Sequence, residues 1–445
     1  MNNAATRGQP RALAEVDSMI LGRPPHAVLL VGPGSVGKTT LALDLAAGLL
    51  CGDPDRSARP CRVCRGCRQV ASGNHPDLHR LAPDGPGGQI RIGKASDPEP
   101  GTVRHLIGEL ALLPVEGGAR VVIIEQAHRL NDDAQNALLK MLEEPPAGVT
   151  IVLCADDEEC MLPTVRSRCV RIRLGAVGGR EIERWLGELG VADAPRAARL
   201  ARLADGRPGL ALAYARSTDA ERLRGEIARG ILDMLTSSRQ ARLSVVRELM
   251  KSAASLAAAL DEGRRDSAIP ERGAVSGRGR RGKGAKAREP EEVRVAAAGE
   301  AGQVGGPAAT GDAVTSDDAA TPGEAAAPKL AAAERRSAAA SLLDVWASVG
   351  RDLAVTQAGG VRHLREMELM DELHAIALAV SAAGLRSFMA RLAEIDRQLD
   401  DNVNPELALD VLALSWPRIE PTATAGATAG ATAGATVTSP PDPRR

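Results

Sequence analysis

The segment from Gly32 to Thr39 carries the clearest chemical signal in this 445-residue chain. It reads Gly-Pro-Gly-Ser-Val-Gly-Lys-Thr and fits the phosphate-binding pattern G-x-x-x-x-G-K-[ST] at every position. In such a loop the backbone N–H groups surround phosphate oxygens, the lysine reaches the β- and γ-phosphates, and the next hydroxyl ligates Mg²⁺. The alternative, a glycine-rich turn that matches by chance, is disfavoured by the strand and helix expected on either side. We predict nucleotide contacts from Gly32, Gly34, Gly37, Lys38, Thr39 and Thr40.

A second motif ends at Glu125 and Gln126, directly after the apolar run Val121–Ile124. In nucleotide hydrolases an acidic residue at the end of such a strand orients Mg²⁺, and the next carboxylate polarises the attacking water. Glu125 therefore joins the predicted cofactor-binding set, whereas the second position is a glutamine. Because an amide can hold water but cannot accept its proton, we expect ATP to be bound more than hydrolysed. The alternative is that Glu125 is only the polar end of a buried strand.

Four cysteines have the spacing Cys-x9-Cys-x2-Cys-x2-Cys, which suits a tetrahedral Zn²⁺ site filled entirely by protein ligands. Such a closed site is structural. A redox C-x-x-C pair and loose free thiols are the alternatives. Since four thiolates complete the shell, we expect His75 and His79 to be solvated loop histidines, and Cys154 and Cys160 to be core or incidental cysteines. The predicted metal ligands are Cys51, Cys61, Cys64 and Cys67.

Length and composition restrict the class of protein. The length suggests about three domains, and 44% apolar residues are enough to build their cores. With one tyrosine, one phenylalanine and three tryptophans, a nucleic-acid reader that works by base stacking is disfavoured. A formal charge of −1 marks no overall basic surface. The N-terminus lacks the apolar run of a signal peptide and no apolar stretch has membrane-spanning length, so we expect a cytoplasmic protein with no membrane partner.

Apolar runs alternate with helical periodicity over residues 1–174, which predicts a doubly wound α/β domain. The predicted strands are His26–Val31, Arg120–Ile124, Thr150–Cys154 and Cys169–Leu174, with a short strand-like segment at Gln89–Ile92. The predicted helices are Thr39–Leu50, Val103–Leu113 and one that Asn131 caps and Pro145 stops. This arrangement would place the phosphate loop between a buried strand and a helix.

Helical periodicity dominates the rest of the chain. It covers residues 175–262 and resumes at 339–416, where Asn404-Pro405 is a typical helix start. Residues 263–338 lack aromatic residues, are rich in Gly, Ala and Pro, and carry a run of basic side chains. We predict a disordered insertion there, and a disordered tail at 421–445 where Ala-Thr-Ala-Gly repeats.

The order of these motifs resembles the bacterial clamp-loader ATPases of the AAA+ class. Two further segments add to the resemblance, Asn136–Pro146 with its Leu-Glu-Glu-Pro-Pro ending and Leu162–Cys169 with its Ser-Arg-Cys ending. It implies an AAA+ P-loop domain over residues 1–174, whose parallel sheet is flanked by helices and whose zinc module lies at 51–67. A helical lid at 175–216 and an all-α oligomerisation collar at 217–420 are implied to follow. The segment Asn402–Leu409 resembles the collar of δ′ subunits.

The same resemblance assigns a role in trans to Arg168, as an arginine finger on the nucleotide of a neighbouring subunit. A surface cation is the alternative for this residue. Three departures from the motor subunits favour a δ′-type subunit over a γ/τ-type ATPase motor, which stays the alternative function. They are Gln126, the pair Ala155-Asp156 at a sensor position, and Gly209 at the lid position of a sensor arginine, with Arg207 two residues early.

The partners implied by the resemblance are δ and γ/τ subunits in a hetero-pentamer, the sliding clamp, and primed DNA bound through the complex. The implied activity is assistance in ATP-dependent loading of that clamp during chromosome replication, without a polymerase site in this chain. A third interpretation is a zinc-ribbon protein that binds nucleic acid through the arginines around its cysteines. These are Arg62, Arg65 and Arg68.

Overall fold

The computed structural model describes residues 3–83, 88–111, 114–116, 118–265, 331–400 and 403–419. A five-stranded sheet forms the centre of the N-terminal part, and its strand order is β2-β3-β4-β1-β5. Every neighbouring pair is parallel. The strands are β1 (Ala27–Val31), β2 (Leu78–Leu81), β3 (Arg120–Ile124), β4 (Val149–Ala155) and β5 (Val170–Arg173). The predicted doubly wound parallel sheet is confirmed.

Helices cover both faces of this sheet, which explains why its central strands are almost continuously apolar. Leu29, Val122 and Leu153 face one side, where they pack with the helices α4 and α5 defined below. Leu30 and Ile123 face the other side with α1 and α2. The flanking helices are α1 (Pro10–Leu21), α2 (Lys38–Leu49), α3 (Arg65–Ala71), α4 (Val103–Leu110), α5 (Asp132–Glu143) and α6 (Pro163–Arg166).

The edge strand β2 differs from the sequence-based expectation. The segment Gln89–Ile92 is not a strand, and only Ile90 makes an isolated bridge, to Leu130. The edge position is filled instead by the four residues Leu-His-Arg-Leu of β2. Such a strand has only two apolar residues and lies among turn residues, so its sequence carries little periodic signal. Its place in the sheet comes from pairing with β3.

Nine helices follow the sheet in the described part of the chain. The first three, α7 (Gly179–Leu189), α8 (Ala194–Ala204) and α9 (Pro208–Arg216), occupy the predicted lid. The others are α10 (Thr218–Asp233), α11 (Arg239–Arg265), α12 (Ala332–Gln357), α13 (Met370–Ala377), α14 (Ala382–Asp400) and α15 (Pro405–Ser415). Asn404 caps α15 as predicted, accepting a hydrogen bond from the backbone N–H of Glu406. A single hydrophobic cluster runs through the lid and the helices that follow it.

Three of the five aromatic residues meet in the interior of this helical part. The rings of Trp346, Phe388 and Trp416 lie 4.5–5.8 Å apart, between centroids. Each of the three side chains is at most 2% exposed. They join α12 and α14 to the end of α15, so the C-terminal helix is part of the core.

Helical structure extends into both ends of the predicted insertion. Helix α11 continues to Arg265 and α12 begins at Ala332, so residues 263–265 and 332–338 are helical. Residues 266–330 of that prediction, and the predicted tail at 421–445, lie outside the described residues. Among the described helices, none is long and apolar enough to cross a membrane.

Candidate functional site

The glycine-rich loop connects β1 to α2, as its motif requires. Gly32 has a φ of +157°, and a Cβ there would lie 2.3 Å from the carbonyl oxygen of Leu174. Gly37 precedes the helix with a φ of +110°. Both positions therefore need glycine. The loop ends at the N-terminus of α2, where backbone N–H groups and the helix dipole favour an anion.

Lys38 is directed into this loop and carries an ion pair. Its Nζ lies 2.5 Å from the carbonyl oxygen of Gly32 and 2.8 Å from that of Pro33. Its third partner is Asp156, whose Oδ1 is 2.7 Å away. The lysine side chain is 8% exposed and that of Asp156 47%. The Lys38 ammonium group, which the motif predicts to bind phosphate, is therefore paired with a carboxylate of the same chain.

Asp156 reaches the loop because it follows β4, the strand next to β1. Its backbone N–H donates to His128 Nδ1 at 3.2 Å. Its Oδ2 is 3.3 Å from where a Cβ on Gly34 would stand, so the carboxylate lies against the phosphate loop. From the sequence, Asp156 is only part of a pair that departs from the motor subunits at a sensor position. The ends of neighbouring parallel strands meet at one edge of a sheet, and that rule applied to β1 and β4 is the signal for the pair.

Glu125, at the end of β3, is also paired. Both Nε and Nη2 of Arg80 donate to its Oε1, at 2.9 and 2.5 Å. Arg80 belongs to β2, the strand that the sequence did not reveal, and its role was missed with the strand. Gln126 follows with a left-handed φ of +50°. The two carboxylates at this edge, Glu125 and Asp156, therefore each hold a cation of the chain itself.

The first turn of α9 contacts the phosphate loop through backbone atoms. The N–H of Gly209 donates to the carbonyl oxygen of Ser35 at 3.0 Å. A Cβ at position 209 would stand 3.0 Å from the same oxygen, so a larger residue would force the two segments apart. Arg207 takes no part in this contact. Its Nη1 lies 2.7 Å from Asp344 Oδ1, so it links the start of α9 to α12.

That link continues into a buried polar network that the sequence did not indicate. Arg224 of α10 is 1% exposed. It donates to Asp344 and to the hydroxyl of Tyr214, both at 3.1 Å, and its Nη2 lies 2.8 Å from Glu366. Burial acts to raise the pKa of Asp344, but the guanidinium groups of Arg207 and Arg224 outweigh it and the pKa is lowered. These charged contacts connect α9 to α10 and α12.

Arg168 lies in the short connection between α6 and β5. Its Nη1 donates to the carbonyl oxygen of Thr164 at 2.8 Å, and its Nη2 is 2.5 Å from Glu143 Oε1 at the end of α5. The side chain is held at two points yet remains 34% exposed. Its guanidinium is therefore positioned and accessible.

The sheet register separates Arg168 from this chain's own phosphate loop. Val170, the first residue of β5, pairs with Val28 of β1, and Arg168 precedes this pair by two residues. Gly32 is four residues beyond Val28 in the opposite direction, which is roughly 13 Å at 3.3 Å per residue. Because this distance exceeds the length of an arginine side chain, Arg168 cannot serve the phosphate loop of its own chain.

The four predicted ligand cysteines converge between α2 and α3. Their sulfur atoms all lie within 4.8 Å of one another. Cys51 Sγ is 3.6 Å from Cys61 Sγ and 3.8 Å from Cys64 Sγ. Tetrahedral zinc with Zn–S bonds of about 2.3 Å needs sulfur atoms about 3.8 Å apart, so this donor set fits the metal.

The surroundings of the cluster favour thiolate at one member. Burial opposes ionisation of Cys64, but the backbone N–H groups of Cys67 and Gly52 outweigh it and lower its pKa to about 6.

The prediction that His75 and His79 are solvated loop histidines is wrong for both residues. His75 is 4% exposed and accepts a hydrogen bond from the N–H of Asp77. His79 lies in β2, 3.0 Å from Glu109. Neither belongs to the cysteine cluster.

The strand order, the phosphate loop after β1 and the acidic residue after β3 define an AAA+ P-loop domain. A family described as DNA polymerase III, delta subunit, matches residues 8–177. This part of the chain is therefore similar to that family.

Similarity to individual proteins gives the same result. Over 161 residues the chain is 38% identical to DNA polymerase III subunit delta′ of Pseudomonas aeruginosa, covering 36% of this chain and 46% of that protein. Over 193 residues it is 35% identical to the subunit delta′ of Bacillus subtilis, covering 43% and 54%. It is 37% identical to the subunit tau of Salmonella typhimurium over 205 residues, covering 45% and 30%. The chain thus spans about half the length of the delta′ relatives, and less of tau.

Proposed function

We propose that this chain is a δ′-type subunit of the DNA polymerase III clamp loader, which assists ATP-dependent loading of the sliding clamp onto primed DNA. The observation that carries the proposal is the position of Arg168. It is held on the edge of the sheet away from the chain's own phosphate loop, and its guanidinium is accessible. An arginine in that position serves a nucleotide on another subunit.

The phosphate loop would bind Mg·ATP. Gly32, Gly34 and Gly37 allow the backbone to surround the phosphates, and Lys38 would contact them. The hydroxyl of Thr39, with Thr40 behind it in α2, and the carboxylate of Glu125 would hold the metal side of the ligand. Bound Mg²⁺ supplies neutralisation of phosphate charge. Since Gln126 cannot take a proton from water, this chain should bind ATP and hydrolyse it weakly.

Arg168 would act on the neighbouring subunit. Its planar guanidinium offers paired N–H donors to the charge that develops on a transferred γ-phosphate. Thr164 and Glu143 hold that group in place before the neighbour arrives, so little side-chain freedom is lost when the site assembles. The residue acts as an arginine finger in trans.

The cysteine cluster would hold one structural Zn²⁺ through Cys51, Cys61, Cys64 and Cys67. With all four positions filled by thiolate, the metal has no place for substrate. Its effect would be to fix the module at 51–67 between α2 and β2. Because β2 supplies Arg80, the zinc would also stabilise one side of the sheet edge that carries the phosphate loop.

The helices of the collar would join the chain to δ and γ/τ subunits in a cytoplasmic hetero-pentamer. We divide the chain into an AAA+ domain at 1–174, a lid at 175–216 and a collar at 217–420. Helix α15 supports the assignment of the collar, since three apolar side chains lie on its exposed face. These are Leu407, Val411 and Leu414, with exposures of 61%, 40% and 44%. Spacings of four and three residues put them on one side of the helix, where a helix of another subunit can pack.

The γ/τ motor is the second candidate, and the identity with the tau relative favours it. Gln126 and Gly209 argue against it, because the first removes the proton acceptor and the second leaves the lid without a sensor arginine. The zinc-ribbon interpretation loses one of its three arginines. Arg62 forms an ion pair with the buried carboxylate of Asp44, so it is used within the chain.

Assembly tests the proposal directly. The purified chain is mixed with δ and γ/τ subunits from the same organism, and the mass of the product is measured by light scattering after gel filtration. We expect a stable hetero-pentamer. Leu407→Glu combined with Val411→Glu should prevent its formation, whereas Leu378→Glu should not, because Leu378 is 88% exposed and lies outside α15. A chain that remains alone in every mixture would contradict the proposal.

A further inference from the structure

The phosphate loop already contains the kind of contact that a nucleotide would make. In the nucleotide-bound state of such a loop, the lysine pairs with phosphate oxygens. In this chain the same Nζ pairs with Asp156 Oδ1 at 2.7 Å. The carboxylate is therefore a resident anion in contact with the loop.

The carboxylate of Asp156 lies beside the phosphate loop. Its Oδ2 is 3.3 Å from the position that a Cβ on Gly34 would take, and the backbone N–H of Asp156 donates to His128 Nδ1. The Asp156 side chain is 47% exposed and that of Lys38 is 8% exposed, so the aspartate is the partner that is open to solvent. Entry of a ligand would displace the aspartate and leave the lysine in place.

We infer that Asp156 is an affinity-setting residue of the phosphate site: it competes with the terminal phosphate for Lys38 and selects against nucleoside triphosphates. The inference rests on the proposed nucleotide site, and does not depend on the loader assembly. Two costs accompany binding. The ion pair with Lys38 must break, and a carboxylate that stays beside the loop repels the bound phosphates. A triphosphate brings the most negative charge and extends furthest, so it bears the larger cost.

The opposite role for Asp156 would be a favourable one, as a ligand of Mg²⁺ or of an ordered water beside the γ-phosphate. The two roles predict opposite effects of removing the charge. A competitor that is neutralised strengthens binding, and a ligand that is neutralised weakens it. Asp156→Asn distinguishes them because the amide has nearly the same shape and removes the charge, while keeping one acceptor oxygen.

The test is equilibrium titration of the full-length chain with fluorescent ATP and ADP analogues in the presence of Mg²⁺. We expect Asp156→Asn to bind the triphosphate about tenfold more tightly than the parent, and the diphosphate about threefold more tightly, as befits a half-exposed ion pair beside a charged ligand. Asp157→Asn is the matched control. It removes the same charge from the next residue, whose carboxylate accepts from the N–H of Glu159, and should change affinity less than twofold.

A second variant locates the effect. Lys38→Ala removes the group for which Asp156 and the phosphate compete. Adding Asp156→Asn to that variant should therefore give no tenfold gain in triphosphate affinity. Unchanged or weaker triphosphate binding by Asp156→Asn would overturn the inference, as would an equal gain in Asp157→Asn. So would the absence of binding by both the parent and Asp156→Asn, because removal of the anion would then not have opened the site. Assembly with δ and γ/τ subunits is measured separately, so failure here leaves the loader proposal to its own test.

Discussion

In the parallel sheet, the edge formed by the C-terminal ends of the strands and the edge formed by their N-terminal ends differ in how their charged side chains are used. At the edge that carries the phosphate loop, Lys38 is paired with Asp156 and Arg80 with Glu125, so the charges neutralise one another within the chain. At the other edge Arg168 is anchored by Glu143 and still exposed. At the first edge the charged side chains are paired within the chain, whereas at the second edge the guanidinium of Arg168 is accessible to a neighbouring molecule.

This difference matches a division of labour between subunits. A site whose cations already have partners, and which has Gln126 in place of a proton acceptor, is poorly suited to repeated hydrolysis. A fixed arginine on the opposite edge is suited to complete the site of a neighbour. On the proposed function, the chain would contribute more to another subunit's chemistry than to its own.

Removing zinc should have the largest effect, since structural zinc contributes ~10–16 kcal/mol in small zinc-finger peptides. Cys64→Ser should abolish stoichiometric zinc and loosen residues 51–83, including the strand that supplies Arg80. Helix α12 should keep its protection. Elemental analysis and hydrogen exchange measure the two effects. Cys160→Ser, an exposed cysteine outside the cluster, is the control and should retain one zinc per chain. If protein purified under reducing conditions contains no metal, the zinc site is refuted.

The next effect concerns the lid that touches the phosphate loop. Arg224→Met leaves the buried carboxylate of Glu366 without its cation, while Asp344 keeps its pair with Arg207, and this should cost about 3–5 kcal/mol in unfolding free energy. Urea denaturation of the helical part measures it. Arg222→Met on the same helix removes only exposed pairs with Glu226 and Asp219, and should cost less than about 1 kcal/mol. Equal losses in both variants would mean that the buried network does not fasten the lid.

A smaller effect is expected from restoring the missing proton acceptor. Gln126→Glu places a carboxylate after Glu125 and should raise steady-state ATP hydrolysis by the isolated chain roughly tenfold. That is below the 10²–10⁴ of a well-placed general base, because Gly209 leaves the lid without a sensor arginine. Phosphate release measures the rate, and Gln126→Asn is the control, with an expected rate equal to the parent's. Robust hydrolysis by the parent that Lys38→Ala abolishes would instead identify a motor subunit.

Much of this arrangement could be predicted from the sequence, where the signals are local. The phosphate loop, the cap at Asn131 and the strand Arg120–Ile124 depend on residues that are neighbours in the chain, and all three are confirmed. The convergence of the four cysteines is likewise confirmed.

The ion pairs could not be predicted in the same way, because their partners meet only through the sheet or the helical core. Arg80 and Glu125 are 45 residues apart, and their contact depends on a strand with almost no periodic signal. Arg224 reaches Glu366 across 142 residues. In the sequence of the helical part, Arg224 and Glu366 each look like one exposed charge among many.

The central claim is that Arg168 acts on a neighbouring subunit, and ATP hydrolysis by the reconstituted loader tests it most directly. Arg168→Ala should leave nucleotide binding by the isolated chain and assembly with δ and γ/τ unchanged. It should lower DNA- and clamp-stimulated hydrolysis partially, since only one of several motor sites borrows this arginine, although a finger is worth ~10³–10⁵ at the site it serves. Arg168→Lys should rescue poorly, because an ammonium lacks the planar fork. A mutant loader that hydrolyses ATP and loads clamps at the parent rate would contradict the account and make Arg168 a surface cation.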